Sequence, residues 1–268
     1  MTAQLLIYEH AVPISKQKHH SISVKTGTNY DFAKNVNSVP LTAVEFSSAA
    51  ADYCIIFAGN EDAVMPVVIL GINQNNNLYL SDTGQWDANY IPAFVRRYPF
   101  VFSSNDNGST FTLCIDEEFS GCNDEGVGER LFDSEQEMTQ YLKNMLNFSK
   151  DYQGQFQRTQ IFCKKLMEWD LLVPMQAQIT LKNGQKVNLG GFQVVNRAKL
   201  KELSDEKLLE LAKLDELELI HLHLHSMKNF SVMVERMSAQ IQEDTQDSKE
   251  DKVAKKTSKK TSKEPKMH

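Results

Sequence analysis

Several features that would place a protein in a familiar class are missing from this chain. No apolar run approaches the roughly 20 residues that a membrane-spanning helix needs, and the longest, residues 63–72, is interrupted by Pro66 and Gly71. The four cysteines among 268 residues are too dispersed for a disulfide scaffold, and no two form the CxxC pair of zinc ribbons and thioredoxin-like motifs. We therefore expect no integral membrane segment and no metal site of that kind.

Motifs for nucleotide binding or acyl chemistry are missing as well. The glycines at Gly126, Gly128 and Gly190–Gly191 do not fit a GxGxxG or GxxxxGK[ST] frame, and no GxSxG elbow is present. The net charge of −6 argues against a surface that coats nucleic acid. The sequence therefore predicts no cofactor, no nucleic-acid partner and no paired catalytic nucleophile and base.

The first residues also lack the pattern of an export signal. A Sec signal peptide needs a basic head before its apolar stretch, whereas here the short patch QLLIY has no such head and is followed at once by Glu9 and His10. We expect a cytoplasmic protein, which agrees with a free thiol at Cys122 in the polar loop FSGCNDEG. The alternative is a cell-surface protein exported by a signal-independent route.

The first half of the chain predicts short strands. Runs of β-branched and aromatic residues, bounded by Gly, Asn, Asp and Ser, occur at Ile22–Lys25, Tyr53–Ala58, Val67–Ile72, Leu78–Leu80, Phe100–Phe102 and Phe111–Ile115. Turns are predicted at Asn73–Asn77 and Asn105–Ser109, and a short helix at Thr42–Ala51.

The second half predicts mostly helix. Apolar residues at three- and four-residue spacing predict a helix over Ser134–Gln160, capped by Asp133 or Ser134, with a partly continuous second helix to about Asp170. Further elements are predicted in this order: a hairpin around Asn183–Gly184, helices Arg197–Leu203 and Glu206–Leu214 with Ser204 as a cap, an alternating strand over Leu217–His225, and a final helix Met227–Met237.

Together these patterns predict an α+β fold. It has a mainly antiparallel β N-terminal portion, central helices arranged as a hairpin, and a C-terminal β-hairpin/helix unit. We expect residues 1–239 to form one domain. Residues 240–268 are rich in Lys, Thr, Ser and acidic residues, and we expect them to form a disordered tail.

The segment Trp86–Phe102 combines aromatic rings, an adjacent arginine pair and backbone-constraining prolines. Because neighbouring side chains point apart on a strand or a helix, Arg96 and Arg97 are not expected to clamp one anion together. One interpretation is a pocket with aromatic walls in which an arginine binds a carboxylate, phosphate or sugar-linked anion. The other is a rigid corner in which arginine satisfies buried carbonyl groups. The candidate binding residues are Trp86, Tyr90, Arg96, Arg97 and Tyr98.

The string HLHLH offers a weaker candidate. On a strand, His221, His223 and His225 share one face, and on a helix the first and last lie one turn apart. The zincin pattern requires Glu directly after its first His, and Leu222 stands there instead. A structural histidine ladder is therefore favoured over a metal site.

Two other polar clusters are predicted to be hydrated surface. The pair His19–His20 lies among lysines and reads as a solvated loop that enters a strand. The acidic run Asp116–Glu118 lacks the DxDxDG spacing of a calcium loop, and its polar surroundings do not separate the pKa values of the carboxyl groups.

Five blocks of the chain, spanning roughly residues 5–237, resemble the bacterial SapC family. They are HAVPISKQKHHSISV, DFAKNVNSVPLTAVEF, WDANYIPAFVRRYPF, LGGFQVV and HLHLHSMKNF, of which YIPAFVRRYPF is the most specific. The family takes its name from a protein linked to the paracrystalline surface layer of a Gram-negative bacterium. Some members are encoded near outer-membrane nutrient receptors, halogenase-like flavoproteins and cupin-like proteins. The resemblance implies no catalytic residue that could be assigned to a position here.

Two hypotheses about function follow. The favoured one is a non-catalytic binding or assembly protein, linked to the surface layer or to a nutrient-uptake locus, with an unknown protein as its partner. The alternative is an enzyme, or an accessory to one, that binds a small anionic or sugar-like ligand at the Trp86–Phe102 block. Fold resemblance alone does not decide between them, because function depends on the site.

Overall fold

The computed structural model describes residues 6–27, 29–60, 63–73, 75–104, 110–180, 184 and 186–240. The strands are β1 Ala11–Pro13, β2 Ser23–Val24, β3 Ser38–Pro40, β4 Cys54–Gly59, β5 Val64–Ile69, β6 Phe100–Ser103, β7 Thr112–Asp116, β8 Cys122–Asn123, β9 Glu129–Arg130, β10 Leu172–Thr180 and β11 Lys186–Val195. The helices are α1 Lys16–His19, α2 Phe46–Asp52, α3 Ala93–Arg96, α4 Gln140–Glu168, α5 Arg197–Lys201, α6 Asp205–Lys213, α7 Glu216–Ser226 and α8, residues 229–240.

The strands form three antiparallel sheets, which confirms the α+β class. The largest has the order β10-β11-β4-β5-β3, and two three-stranded sheets have the orders β1-β7-β6 and β8-β2-β9. β4, with the sequence CIIFAG, is buried over most of its length, as expected for a continuous apolar run in a sheet covered on both faces. Two 3₁₀ turns flank β3 in the sequence. Asp31–Ala33 precedes β3, and Ala43–Glu45 lies between β3 and α2.

Polar side chains from the last two helices complete the hydrogen bonding of β4. β11 pairs with β4 at the single register position Gln193↔Phe57. Beyond that point the Ile55 carbonyl contacts His223 Nδ1 at 2.9 Å and the Ile55 amide donates to Ser226 Oγ at 3.0 Å. Asn229 Nδ2 donates to the Tyr53 carbonyl at 2.7 Å. These helices therefore replace a neighbouring strand along this part of β4.

α4 connects the three apolar clusters of the core. It is 29 residues long, and its buried residues Leu142, Tyr152 and Phe162 belong to three separate clusters. The predicted start near Ser134 and the predicted break into two helices are both wrong. Asp133 Oδ1 accepts from the amides of residues 135 and 137 and so closes a turn, and the helix begins after Thr139, whose hydroxyl accepts from the Leu142 amide.

The predicted strand over Leu217–His225 is also wrong, because this segment is the helix α7. Its buried residues Ile220, His223 and Ser226 recur at three-residue spacing, so burial follows a helical period even though the letters alternate. The predicted strand at Leu78–Leu80 is a turn with one bridge, Leu80↔Trp86.

Most other predicted elements are confirmed within a few residues. They include the helix at Thr42–Ala51, the β10–β11 hairpin, the two short helices with Ser204 as cap, and the final helix. The predicted turn Asn105–Ser109 and the predicted tail lie outside the described residues, except for Gln240, the last described residue of α8. No helix within the described ranges is long and apolar enough to cross a membrane.

Candidate functional site

The two adjacent arginines of the Trp86–Phe102 block lie at the end of the short helix α3 and have different surroundings. Pro92 is its N-cap and Arg97 its C-cap, and its first three residues, Ala93–Val95, are buried in the core. Arg96 is exposed and Arg97 is partly buried. The two guanidinium groups therefore do not clamp one anion together, in agreement with their predicted divergence.

Arg96 is exposed but held in one position. Its Nε donates to the Ile91 carbonyl at 2.9 Å and its Nη2 donates to the Tyr90 hydroxyl at 3.2 Å. Its guanidinium carbon lies 5.5 Å from the ring centroids of both Tyr90 and Phe148, within cation–π range. We call Arg96, Tyr90 and Phe148 the Arg96 site.

The buried carboxylate of Glu45 orients the Arg96 site through a hydrogen bond to Tyr90. Glu45 is 4% exposed, and its Oε1 accepts from the Tyr90 hydroxyl at 2.8 Å and from the Ala93 amide at 2.7 Å. Its Oε2 accepts from the amide and the hydroxyl of Thr42. Burial, followed by the Glu45 charge, raises the pKa of Tyr90 to about 12, so its hydroxyl is protonated at neutral pH. Tyr90 thus donates to Glu45 and accepts from Arg96.

Arg97 is part of the architecture beneath α3. Its guanidinium carbon lies 4.5 Å from the Phe94 ring centroid, 4.6 Å from that of Tyr152 and 5.7 Å from that of Tyr8. These rings belong to the N-terminal segment, α3 and α4, so Arg97 ties three parts of the chain together. The described residues give Arg97 no ion pair, and its buried Nε has no hydrogen-bond partner among them.

Trp86 and Tyr98 lie apart from the Arg96 site. Trp86 Nε1 donates to the Tyr53 hydroxyl at 2.7 Å, and its ring meets Tyr30 edge-on at 5.7 Å. Tyr98 stacks on Phe32 at 4.1 Å and donates to Asp116 Oδ2 at 3.3 Å. Of the five predicted residues, the structure brings Tyr90 and Arg96 into direct contact. Arg97 and Tyr98 both contact the Tyr8 ring instead, and Trp86 packs elsewhere.

Sequence reasoning missed Phe148 of the Arg96 site and Glu45 beneath the site. Glu45 had a readable signal, because Thr42 and Glu45 have the T-x-x-E spacing of a capping box. Phe148 had no local signal, since on α4 it is one of many apolar residues on the helical stripe.

The three histidines of the HLHLH segment have different surroundings. His223 is fully buried between β4 and β11, whereas His221 and His225 are exposed. Within the part of the chain that the structure describes, no three His, Cys, Asp or Glu side chains are grouped to hold a metal ion. The prediction that His19 lies in a solvated loop is wrong. It ends α1, is 2% exposed and contacts Glu117 at 3.1 Å.

Comparison with known proteins identifies a family but no relative of known function. No curated protein and no solved structure gives a significant match to the chain. The family model for SapC matches residues 14–233, which is most of the 268-residue sequence. The match contains the Arg96 site with Glu45 beneath it, as well as Arg97 and its Phe94 and Tyr152 rings. The chain belongs to the SapC family.

Proposed function

We propose that this protein is a non-catalytic binding protein that recognises an anionic group on its partner through the Arg96 site. The observation that carries the proposal is the exposed guanidinium of Arg96, which two hydrogen bonds and two rings hold in place. A pre-positioned arginine loses less side-chain freedom on binding than a mobile one. The described residues give it no ion pair, so its outer N–H groups can donate to a ligand carboxylate or phosphate.

The surroundings support binding more than chemistry. The nearest titratable partner of Arg96 is the Tyr90 hydroxyl, whose raised pKa keeps it neutral and whose proton is committed to Glu45. Such a group is a poor general base at neutral pH. The same arrangement suits a contact surface, where an arginine flanked by aromatic rings is a frequent centre of binding energy.

The family suggests two settings for the partner. The first is the bacterial surface layer, from which the family takes its name, and the second is a nutrient-uptake locus. In either setting the proposed partner carries carboxylate, phosphate or sugar-linked anionic groups at its contact face. The alternative, an enzyme or accessory with a small anionic ligand at this block, uses the same guanidinium.

The proposal is tested by calorimetric titration of the full chain with inorganic phosphate, citrate and glucuronate at low salt. Arg96→Ala should weaken binding of the anions that bind by about tenfold or more, because a charge-assisted hydrogen bond contributes roughly 1.5–3 kcal/mol. Arg96→Lys keeps the charge but loses the planar fork, so an intermediate loss is expected. The matched control is Arg158→Ala, an exposed arginine on α4, which should leave affinity unchanged.

Two outcomes contradict the proposal. If a folded Arg96→Ala variant binds every anion as the parent does, the Arg96 site is not the binding site. If NMR spectra recorded after long incubation show conversion of glucuronate or citrate, and Arg96→Ala abolishes it, the enzyme alternative replaces the binding role.

A further inference from the structure

A second candidate site lies where α1 packs against the end of β7 and the start of β8. A cavity of about 410 Å³ opens there, lined in part by Lys18, His19, Ile22, Ile115, Glu117 and Asp124. This volume falls in the range of roughly 300–1,000 Å³ that is typical of small-molecule sites. We call it the Glu117 cleft.

The carboxylate of Glu117 is held in a fixed orientation. Its Oε1 lies 3.1 Å from His19 Nε2, and its Oε2 accepts from Lys18 Nζ at 2.7 Å. On the other side of the ring, His19 Nδ1 lies 3.1 Å from the Ser15 amide nitrogen and 3.3 Å from the Ser15 carbonyl oxygen, so the N-terminal turn of α1 holds the imidazole against Glu117. The hydrogen bond from Lys18 is the main cause that lowers the pKa of Glu117, which keeps it ionised at neutral pH.

Two carboxylates line the cleft. They belong to Glu117 and the exposed Asp124, and the basic lining residues are Lys18 and His19, both of which contact Glu117. Behind them lies the fully buried carboxylate of Asp116, whose hydrogen-bond donors are three backbone amides and the Tyr98 hydroxyl, all of them neutral.

Nearby carboxylates affect the pKa of the Cys122 thiol. Burial, followed by the charges of Asp116 and Glu117, raises its pKa to about 11, so the thiol is protonated at neutral pH. Its Sγ donates to the Asp116 carbonyl oxygen, 3.7 Å away. Because only the thiolate is strongly nucleophilic, Cys122 is not an activated nucleophile, and the cleft is suited to binding rather than to covalent chemistry.

The cleft also has an apolar wall. Ile115 is 1% exposed within β7, and Ile22 lies just before β2. A ligand that contacts both parts of the cleft therefore needs a hydrocarbon part against these two side chains and a cationic nitrogen at Glu117.

We propose that the Glu117 cleft binds a small primary amine, with its ammonium on the Glu117 carboxylate and its hydrocarbon part against Ile22 and Ile115. The ligand competes with Lys18 for the same carboxylate. This site is separate from the Arg96 site and has the opposite charge preference, so each proposal can fail without affecting the other.

Three probes with the same tail test the charge preference: n-hexylamine, n-hexanol and hexanoate, titrated by calorimetry into the full chain at neutral pH. Hexylamine should bind with a millimolar or lower dissociation constant, and hexanoate at least about tenfold more weakly. Glu117→Gln should weaken hexylamine binding by about tenfold or more. Lys18→Gln should strengthen it by about threefold, because the competing ammonium is gone.

A matched control pair is available, with its lysine on the same helix α1. Lys16 and Glu137 form a similar pair at 2.8 Å outside the cleft, so Glu137→Gln should leave hexylamine affinity unchanged. Arg96→Ala should also leave it unchanged. A merely structural role for the Lys18–Glu117 pair would not produce opposite changes in affinity from its two members.

The proposal is overturned if hexylamine produces no binding heat, or if hexanol and hexanoate bind as tightly as the amine. It is also overturned if a folded Glu117→Gln variant keeps full affinity. Should that variant fail to fold, Asp124→Asn at the rim takes its place. It should weaken hexylamine binding by about threefold, and an unchanged affinity there overturns the proposal.

Discussion

Acid should destabilise this protein through His223. Its Nε2 accepts from the Val195 amide at 3.0 Å and its Nδ1 donates to the Ile55 carbonyl at 2.9 Å, so the neutral ring satisfies both strands. A second proton on Nε2 would face the Val195 N–H and place a charge in the core. Burial lowers the pKa of His223 from 6.5 to about 4, and the hydrogen bond to Ile55 opposes this only in part.

The sign and size of the pH effect on the free energy of unfolding follow from proton linkage. The folded state binds a proton at His223 less readily than the unfolded chain, so the stabilisation is complete above about pH 6.5 and is lost as the pH falls towards about 4. At about 1.4 kcal/mol per pH unit over this interval, the free energy of unfolding should fall by roughly 3 kcal/mol from His223 alone.

Urea unfolding at several pH values measures this contribution. His223→Gln should be less stable than the parent near pH 7, by roughly 1–3 kcal/mol, because its amide reproduces the two hydrogen bonds imperfectly. The difference should shrink as the pH falls, because glutamine does not titrate. The exposed His221→Gln on the same helix should follow the parent curve. Parallel curves for the parent and His223→Gln would refute the reasoning.

Two further predictions concern the arginine block. Arg97→Ala should lower the free energy of unfolding by roughly 2–4 kcal/mol, because it leaves three facing rings without their partner, whereas the exposed Arg96→Ala should change it by less than about 0.5 kcal/mol. Guanidinium denaturation decides this, and equal losses for the two neighbours would contradict the assigned roles. Glu45→Gln should cost roughly 1–3 kcal/mol, because an amide nitrogen cannot accept from the donors that the carboxylate serves. An unchanged melting temperature for Glu45→Gln would show that the buried carboxylate is dispensable.

Sequence patterns correctly predicted the parts of the fold that depend on a single local feature of the chain. β4 follows from the apolar run CIIFAG, α6 from the Ser204 cap, and the pairing of β10 with β11 from the apolar runs on either side of the predicted turn, whose Asn183 lies outside the described residues. α4 was found from its apolar spacing, but its start was misplaced because Asp133 closes a turn, a role that the same residue type plays at helix N-caps.

The failures arise where distant parts of the chain decide the structure. In α7 the buried face carries His223 and Ser226, since β4 needs hydrogen-bonding partners there, so apolar periodicity points to the wrong element. The block at Trp86–Phe102 was correctly predicted to direct its arginines apart, because neighbouring side chains diverge in any regular backbone. Which arginine lies inside depends on Tyr8 and Tyr152, far away in the sequence, and no local pattern contains that information.

The way in which β4 is completed bears on how the chain is synthesised. The residues that satisfy Tyr53 and Ile55 lie 168 to 176 positions further along the chain, and the β4 partner strand β11 is also far downstream. A ribosome releases the N-terminal strands long before these partners exist, and such non-local pairing is slow to form. During translation the apolar segment CIIFAG therefore has an unfinished edge, which is closed only after α7 and α8 have left the ribosome.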